Sequence, residues 1–140
     1  MKKTFNVIIC GSKYFSNYEL LKERCDYFLS ERLKRGEEIV IISGGSGSGV
    51  DKLGEDYAKE KGYEVKVIKA LWDKYGKKAG YLKNQKMVEL GNACIVFQLA
   101  SETKMEAGLK MLVDISRKEH LLVREIKDVS KEESIDESTK

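Results

Sequence analysis

Five short apolar runs alternate with stretches of helical periodicity along this chain, and that alternation restricts its fold more than any other feature. The runs fall at residues 5–10 (FNVIIC), 38–43 (EIVIIS), 63–68, 93–97 (ACIVF) and 120–126. After the first, Leu20, Leu21, Tyr27, Phe28 and Leu33 recur at helical spacing and Gly36 supplies a stop. Ser16 and Glu19 have the S-x-x-E spacing of a capping box, which places the start of this helix there. Residues 50–61 read as a second helix closed by Gly62, a less regular stretch runs through Trp72 and Gly76, and further helices are predicted over 80–90 and 103–117.

Strands separated by helices of this length pair in parallel through right-handed crossovers, and the helices then cover both faces of the sheet. The chain should therefore form a Rossmann-like, doubly wound α/β domain with a mainly parallel five-stranded sheet over residues 1–126. From Lys127 to Lys140 charge and serine replace apolar residues, and this segment is expected to be a charged, flexible C-terminal tail.

The 26 basic and 23 acidic residues give a net charge of +3 and are interspersed, a balance that does not demand nucleic acid. No apolar run approaches the ~20 residues of a membrane span, and Met1-Lys2-Lys3 leads straight into a β-like run, so no membrane association and a cytoplasmic location are expected. Cys10, Cys25 and Cys94 have no zinc or redox spacing and read as buried, inert thiols. Neither a metal nor a cofactor is expected.

In open parallel sheets, ligands bind beyond the carboxyl ends of the strands, where the strand order reverses. The loops there contain Gly11-Ser12-Lys13, the turn Gly44-Gly45-Ser46-Gly47-Ser48-Gly49 with Asp51, and residues 101–106. A Gly/Ser turn feeding a helix can present backbone N–H groups and a helix dipole to an anion. It can equally serve only a tight turn and close helix packing. The spacing does not match GxxxxGK[ST], because Glu55 stands where lysine is required, nor GxGxxG, because Val50 replaces the third glycine. Asp51 could accept from ribose hydroxyls, but the first turn of its helix alone favours an acid there. Trp72 and Tyr75 could stack on a base, although aromatics in such a connection more often cover the core. His120 has no evident partner and reads as structural.

These loops recur in a specific order: Cys10-Gly11-Ser12, then Gly44-Gly45 to Gly49-Val50-Asp51 with Leu53 and Ala58, then Ala70-Leu71-Trp72 and Gly76, then Ala79-Gly80 with Lys83-Asn84 and Met87. Over residues 7–126 the combination resembles the YspA-type branch of the SLOG superfamily, relatives of the Lonely Guy (LOG) phosphoribohydrolases and of the DprA Rossmann domain. The resemblance implies a pocket for a nucleotide-derived small molecule, formed by Gly11, Ser12, Gly44, Gly45, Ser46, Gly47, Gly49, Asp51, Lys83, Asn84, Ser101 and Thr103. Ligand binding, as in a sensor, is the leading expectation.

Cleavage of the N-glycosidic bond of a nucleoside 5'-monophosphate or a related ribosyl phosphate is the alternative. The LOG resemblance then implies catalytic roles for Glu106, which would stabilise a ribosyl cation or activate water, and for Lys83, which would orient the substrate. Two departures count against it: Leu99-Ala100-Ser101-Glu102 replaces a glycine-rich stretch and sets the charge of Glu102 where it would repel phosphate, and lysine at 83 lacks the planar fork of arginine. An acid at a helix start is the equally open, purely structural reading of Glu106. Single-stranded nucleic acid, through Lys77-Lys78, Lys83 and Lys86, is the least favoured partner. A homo-oligomer, dimeric or higher, is expected from the resemblance because LOG-type subunits complete one another's pockets.

Overall fold

A computed structural model describes residues 2–129 of the protein. The strands are β1 (Thr4–Gly11), β2 (Glu38–Ser43), β3 (Glu64–Val67), β4 (Ala93–Leu99) and β5 (Leu122–Asp128). They form one sheet in the order β3-β2-β1-β4-β5, and every neighbouring pair is parallel. The helices are α1 (Tyr18–Lys34), α2 (Gly49–Lys61), the single turn α3 (Trp72–Tyr75) continued by a 3-10 turn (Gly76–Lys78), α4 (Ala79–Leu90) and α5 (Ala107–Lys118). The fold is the Rossmann-like α/β arrangement expected from the alternation.

Successive strand residues face opposite sides, so the apolar runs feed two core layers. Phe5, Val7 and Ile9 of β1, with Ile39 and Ile41 of β2 and Ile95 and Phe97 of β4, pack against Leu21, Cys25 and Leu29 of α1 and Val50, Tyr57 and Ala58 of α2. Ile8, Cys10, Ile42, Cys94 and Val96 pack on the other side against Met87 and Val88 of α4 and Leu109, Leu112 and Val113 of α5. All three cysteines are free and buried.

Burial, and then the charge of Asp26, push the Cys25 thiol up to about 12. A thiol whose value rises on folding contributes stability in full below its unfolded value of about 8.5, and loses it as pH climbs toward the folded value. Thermal unfolding followed by circular dichroism should therefore show a falling Tm from about pH 9 upward, and Cys25→Ala should make that fall shallower.

Several boundaries differ from expectation. The cap of α1 is Asn17 rather than Ser16: its Oδ1 accepts from the Leu20 N–H at 3.1 Å, while its Nδ2 donates to Asp128 at the end of β5, 3.2 Å away. A tertiary contact thus selects the cap. α5 begins at Ala107 rather than 103, because the Glu102 side chain accepts from the Leu99 N–H at 2.9 Å and folds the preceding loop over the end of β4. β5 begins at Leu122, after a turn in which His120 adopts φ 64°. It continues to Asp128, so residues 127 and 128, placed in the tail above, belong to the sheet; residues 130–140 of that segment lie outside the described residues. Among the described residues, no helix is long and apolar enough to cross a membrane.

Candidate functional site

The glycine turn leaves β2 and is braced from within. Ser43 Oγ accepts from the Gly45 N–H at 3.1 Å and donates to the Glu55 carboxylate on α2. Asp51 Oδ2 accepts from the Ser46 N–H at 3.2 Å, and Ser46 Oγ donates to the Ser48 carbonyl at 3.3 Å. Glu55, at the position a phosphate-loop lysine would hold, thus anchors the turn instead. The N–H groups of Gly45 and Ser46 are engaged inside it, which leaves the turn shaping a pocket more than supplying its donors.

At the exit of the turn, Gly49 has φ 55°, and a Cβ there would lie 2.4 Å from the Ser12 carbonyl oxygen. Only glycine lets the start of α2 come this close to the loop after β1, where the Val50 N–H donates to Ser12 O at 3.2 Å. Gly49, by this close approach, and Gly47, by its φ of 78°, therefore route the chain.

Beyond the ends of β1 and β2, on the side covered by α4 and α5, lies a cavity of about 820 Å³. That volume is within the usual range for small-molecule sites. Its floor is apolar and belongs to the core: Cys10, Met87, Leu109 and Leu112. Its charged lining is Lys13, Lys69, Lys77 and Lys83 against Asp51 and Glu106, an excess of positive charge. Lys83 Nζ and Asp51 Oδ2 converge on Gly44, where a Cβ would lie 2.8 Å from the first and 3.1 Å from the second. Trp72 and Tyr81 line the opening. The Trp72 ring lies over Gly80, where a Cβ would be 3.5 Å from the indole, and is 60% exposed. α3 has no buried residue, so the reading of Trp72 and Tyr75 as core covers does not hold.

Buried Asn84 ties the two helical walls together, donating from Nδ2 to the Gly108 carbonyl at 3.1 Å. Glu106 caps α5 without a side-chain hydrogen bond to the helix, and its Oε1 would lie 3.2 Å from a Cβ on Gly108. At the floor, the Cys10 sulfur lies 3.6 Å from that of Cys94. The Cys94 thiol, and then burial, push Cys10 well above the ordinary thiol value, so it stays protonated at neutral pH and is a poor nucleophile.

Of the residues singled out from the sequence, Gly11, Gly44, Gly45, Ser46, Asp51, Lys83, Asn84 and Glu106 line this one cavity. Ser12, Gly47, Gly49, Ser101 and Thr103 do not. Strand order reverses between β1 and β4, and there Glu102 Oε2 accepts from Ser12 Oγ at 3.0 Å. The glutamate expected to repel phosphate is turned inward to join the two loops. Thr103 lies instead by a separate groove beside Lys110 and Arg117. Lys69 and Tyr81 were not foreseen, and Lys13 and Lys77 were named only within a loop and as a contact for nucleic acid. The position of Lys13 and Lys69 just past the ends of β1 and β3 was the available signal, since side chains there face a ligand crevice.

Residues 5–75, just over half of the chain, match the model of the YspA, cpYpsA-related SLOG family (YAcAr). The chain belongs to this family. Over 99 residues it is also 28% identical to the Gene 61 protein of Mycobacterium phage D29, a match covering 66% of this chain and 76% of that protein. The SLOG match ends at residue 75, so it includes the glycine turn, Asp51, Lys69 and Trp72 but not Lys83 or Glu106.

Proposed function

We propose that this SLOG protein binds a nucleotide-derived small molecule bearing phosphate, in the manner of a ligand sensor, in the cavity between the glycine turn and α4–α5. The observation that carries this reading is the cavity's composition: four lysines against two carboxylates, above an apolar floor, with an exposed indole at the mouth. Ammonium groups attract phosphate as point charges, and an exposed aromatic face stacks a base. Family membership supports a nucleotide-related ligand.

Trp72 is the only tryptophan in the chain, so its emission reports directly on occupancy. Titration with a panel of nucleoside 5'-monophosphates, ADP-ribose and inorganic phosphate should change the emission for at least one base-containing compound. Lys83→Met should weaken that compound by roughly 10-fold or more, the effect of losing a charge-assisted contact. Unchanged emission across the panel together with no heat in calorimetry would defeat the proposal.

The second reading, an N-ribohydrolase, is favoured by one observation: Lys83 and Glu106 line the same cavity. Free base measured after prolonged incubation of each monophosphate separates the two. The binding reading expects none; release that disappears in Glu106→Ala would replace it with the enzyme.

A further inference from the structure

We propose that residues 66–86 form a landing surface for single-stranded nucleic acid, with a terminal nucleotide of the strand seated in the cavity; this extension rests on the nucleotide-binding reading above. The segment contains seven lysines (Lys66, Lys69, Lys74, Lys77, Lys78, Lys83, Lys86) and one acid, Asp73. The rest of the chain has nineteen basic residues against twenty-two acidic ones, so the protein's whole positive excess resides here. Charge is not evenly interspersed after all.

Ion pairs elsewhere occupy Lys22, Arg32, Lys34, Lys52, Lys61, Lys110 and Arg117, whereas among the described residues none of the seven lysines of this segment has one. A solvated face usually mixes both signs; this one leaves its ammonium groups for an external anion. Three aromatic side chains stand exposed among them: Trp72 at 60%, Tyr75 at 42% and Tyr81 at 47%. Lys74 Nζ lies 5.2 Å from the Tyr75 ring centroid.

Cations with exposed aromatic faces among them match a chain of phosphates and unstacked bases. A duplex hides its base faces, and a protein partner would call for apolar contact without so many lysines. The surface is continuous with the cavity, because Lys69, Trp72, Lys77, Tyr81 and Lys83 belong to both.

The test compares dTMP with oligothymidylates of two, four and eight nucleotides by Trp72 emission, with uridylate oligomers as the RNA arm. Affinity should rise at least 10-fold from the monomer to about four nucleotides and then level off. The eight-mer's log–log salt slope should be near −2, as for about three phosphate contacts. The double variant Lys74→Gln/Lys78→Gln, at two exposed positions outside the cavity, should bring the eight-mer close to dTMP while leaving dTMP itself unchanged. Tyr75→Ala should weaken the eight-mer roughly 5- to 100-fold.

Equal affinity for dTMP and the eight-mer, or an eight-mer advantage that survives the double variant, overturns the proposal and leaves the cavity reading standing. Tight eight-mer binding that depends on these lysines but is indifferent to Gly44→Val overturns the seating of the terminal nucleotide, and if dTMP binding is equally indifferent the cavity reading falls with it.

Discussion

Gly11→Ala should be the most destabilising single-methyl change in the protein. The Gly11 Cα faces the Phe97 carbonyl across the β1–β4 pair, and a Cβ would lie 1.9 Å from that oxygen and 2.8 Å from Val50 Cγ2. Relief requires the end of β1 to move more than an ångström from β4. That movement would break the Ser12 N–H to Phe97 O hydrogen bond of 2.9 Å and unseat the start of α2. Backbone, unlike the end of a long side chain, cannot step aside. The expected loss is about 3–5 kcal/mol, at the severe end for point substitutions and a large share of a small domain's stability. Differential scanning calorimetry should show a Tm lower by roughly 10–20 °C; a change below about 3 °C would mean that the strands separate here more easily than their pairing suggests.

Gly44→Val should have the opposite profile, with stability nearly kept and binding lost. Gly44 needs no left-handed backbone, and the atom nearest its added Cβ is the far end of Lys83, which can move. The new side chain would fill the corner where Lys83 and Asp51 converge. Overfilling a packed space costs about 1–3 kcal/mol, so a nucleotide reaching this corner should bind roughly 10- to 100-fold more weakly. Trp72 emission measures the affinity, and a Tm within a few degrees of the wild type confirms the fold. Retained affinity with a retained fold would place the ligand elsewhere on the protein.

The contrast between these two glycines shows what the sequence conceals. Both belong to motifs that can be read directly from the chain, and both line the cavity. One is demanded by a strand-to-strand approach and the other faces only side-chain ends across the cavity, a difference that depends on which atoms the fold brings opposite each Cα. Asp51 and Glu102 teach the same lesson. Asp51 stands at a helix start, as its position suggests, but it also holds Ser46 in the turn. Glu102 reads as an obstacle to phosphate until its carboxylate is found bonded to Ser12 and to the Leu99 N–H.

The sequence by itself determined the layered fold, because apolar runs of strand length alternating with amphipathic helices leave few other ways to bury both faces of a sheet. It also marked the glycine turn and Gly62 at the end of α2, where local conformation alone decides. Only the tertiary structure decided which N–H groups the turn consumes, why Asn17 rather than Ser16 caps α1, and that Lys13, Lys69, Lys77 and Lys83, from four separate segments, meet around one cavity. The physical reason is reach: propensity and periodicity act over a few neighbouring residues, whereas a binding site is made by side chains that are distant in sequence and that the sheet order and crossovers bring together.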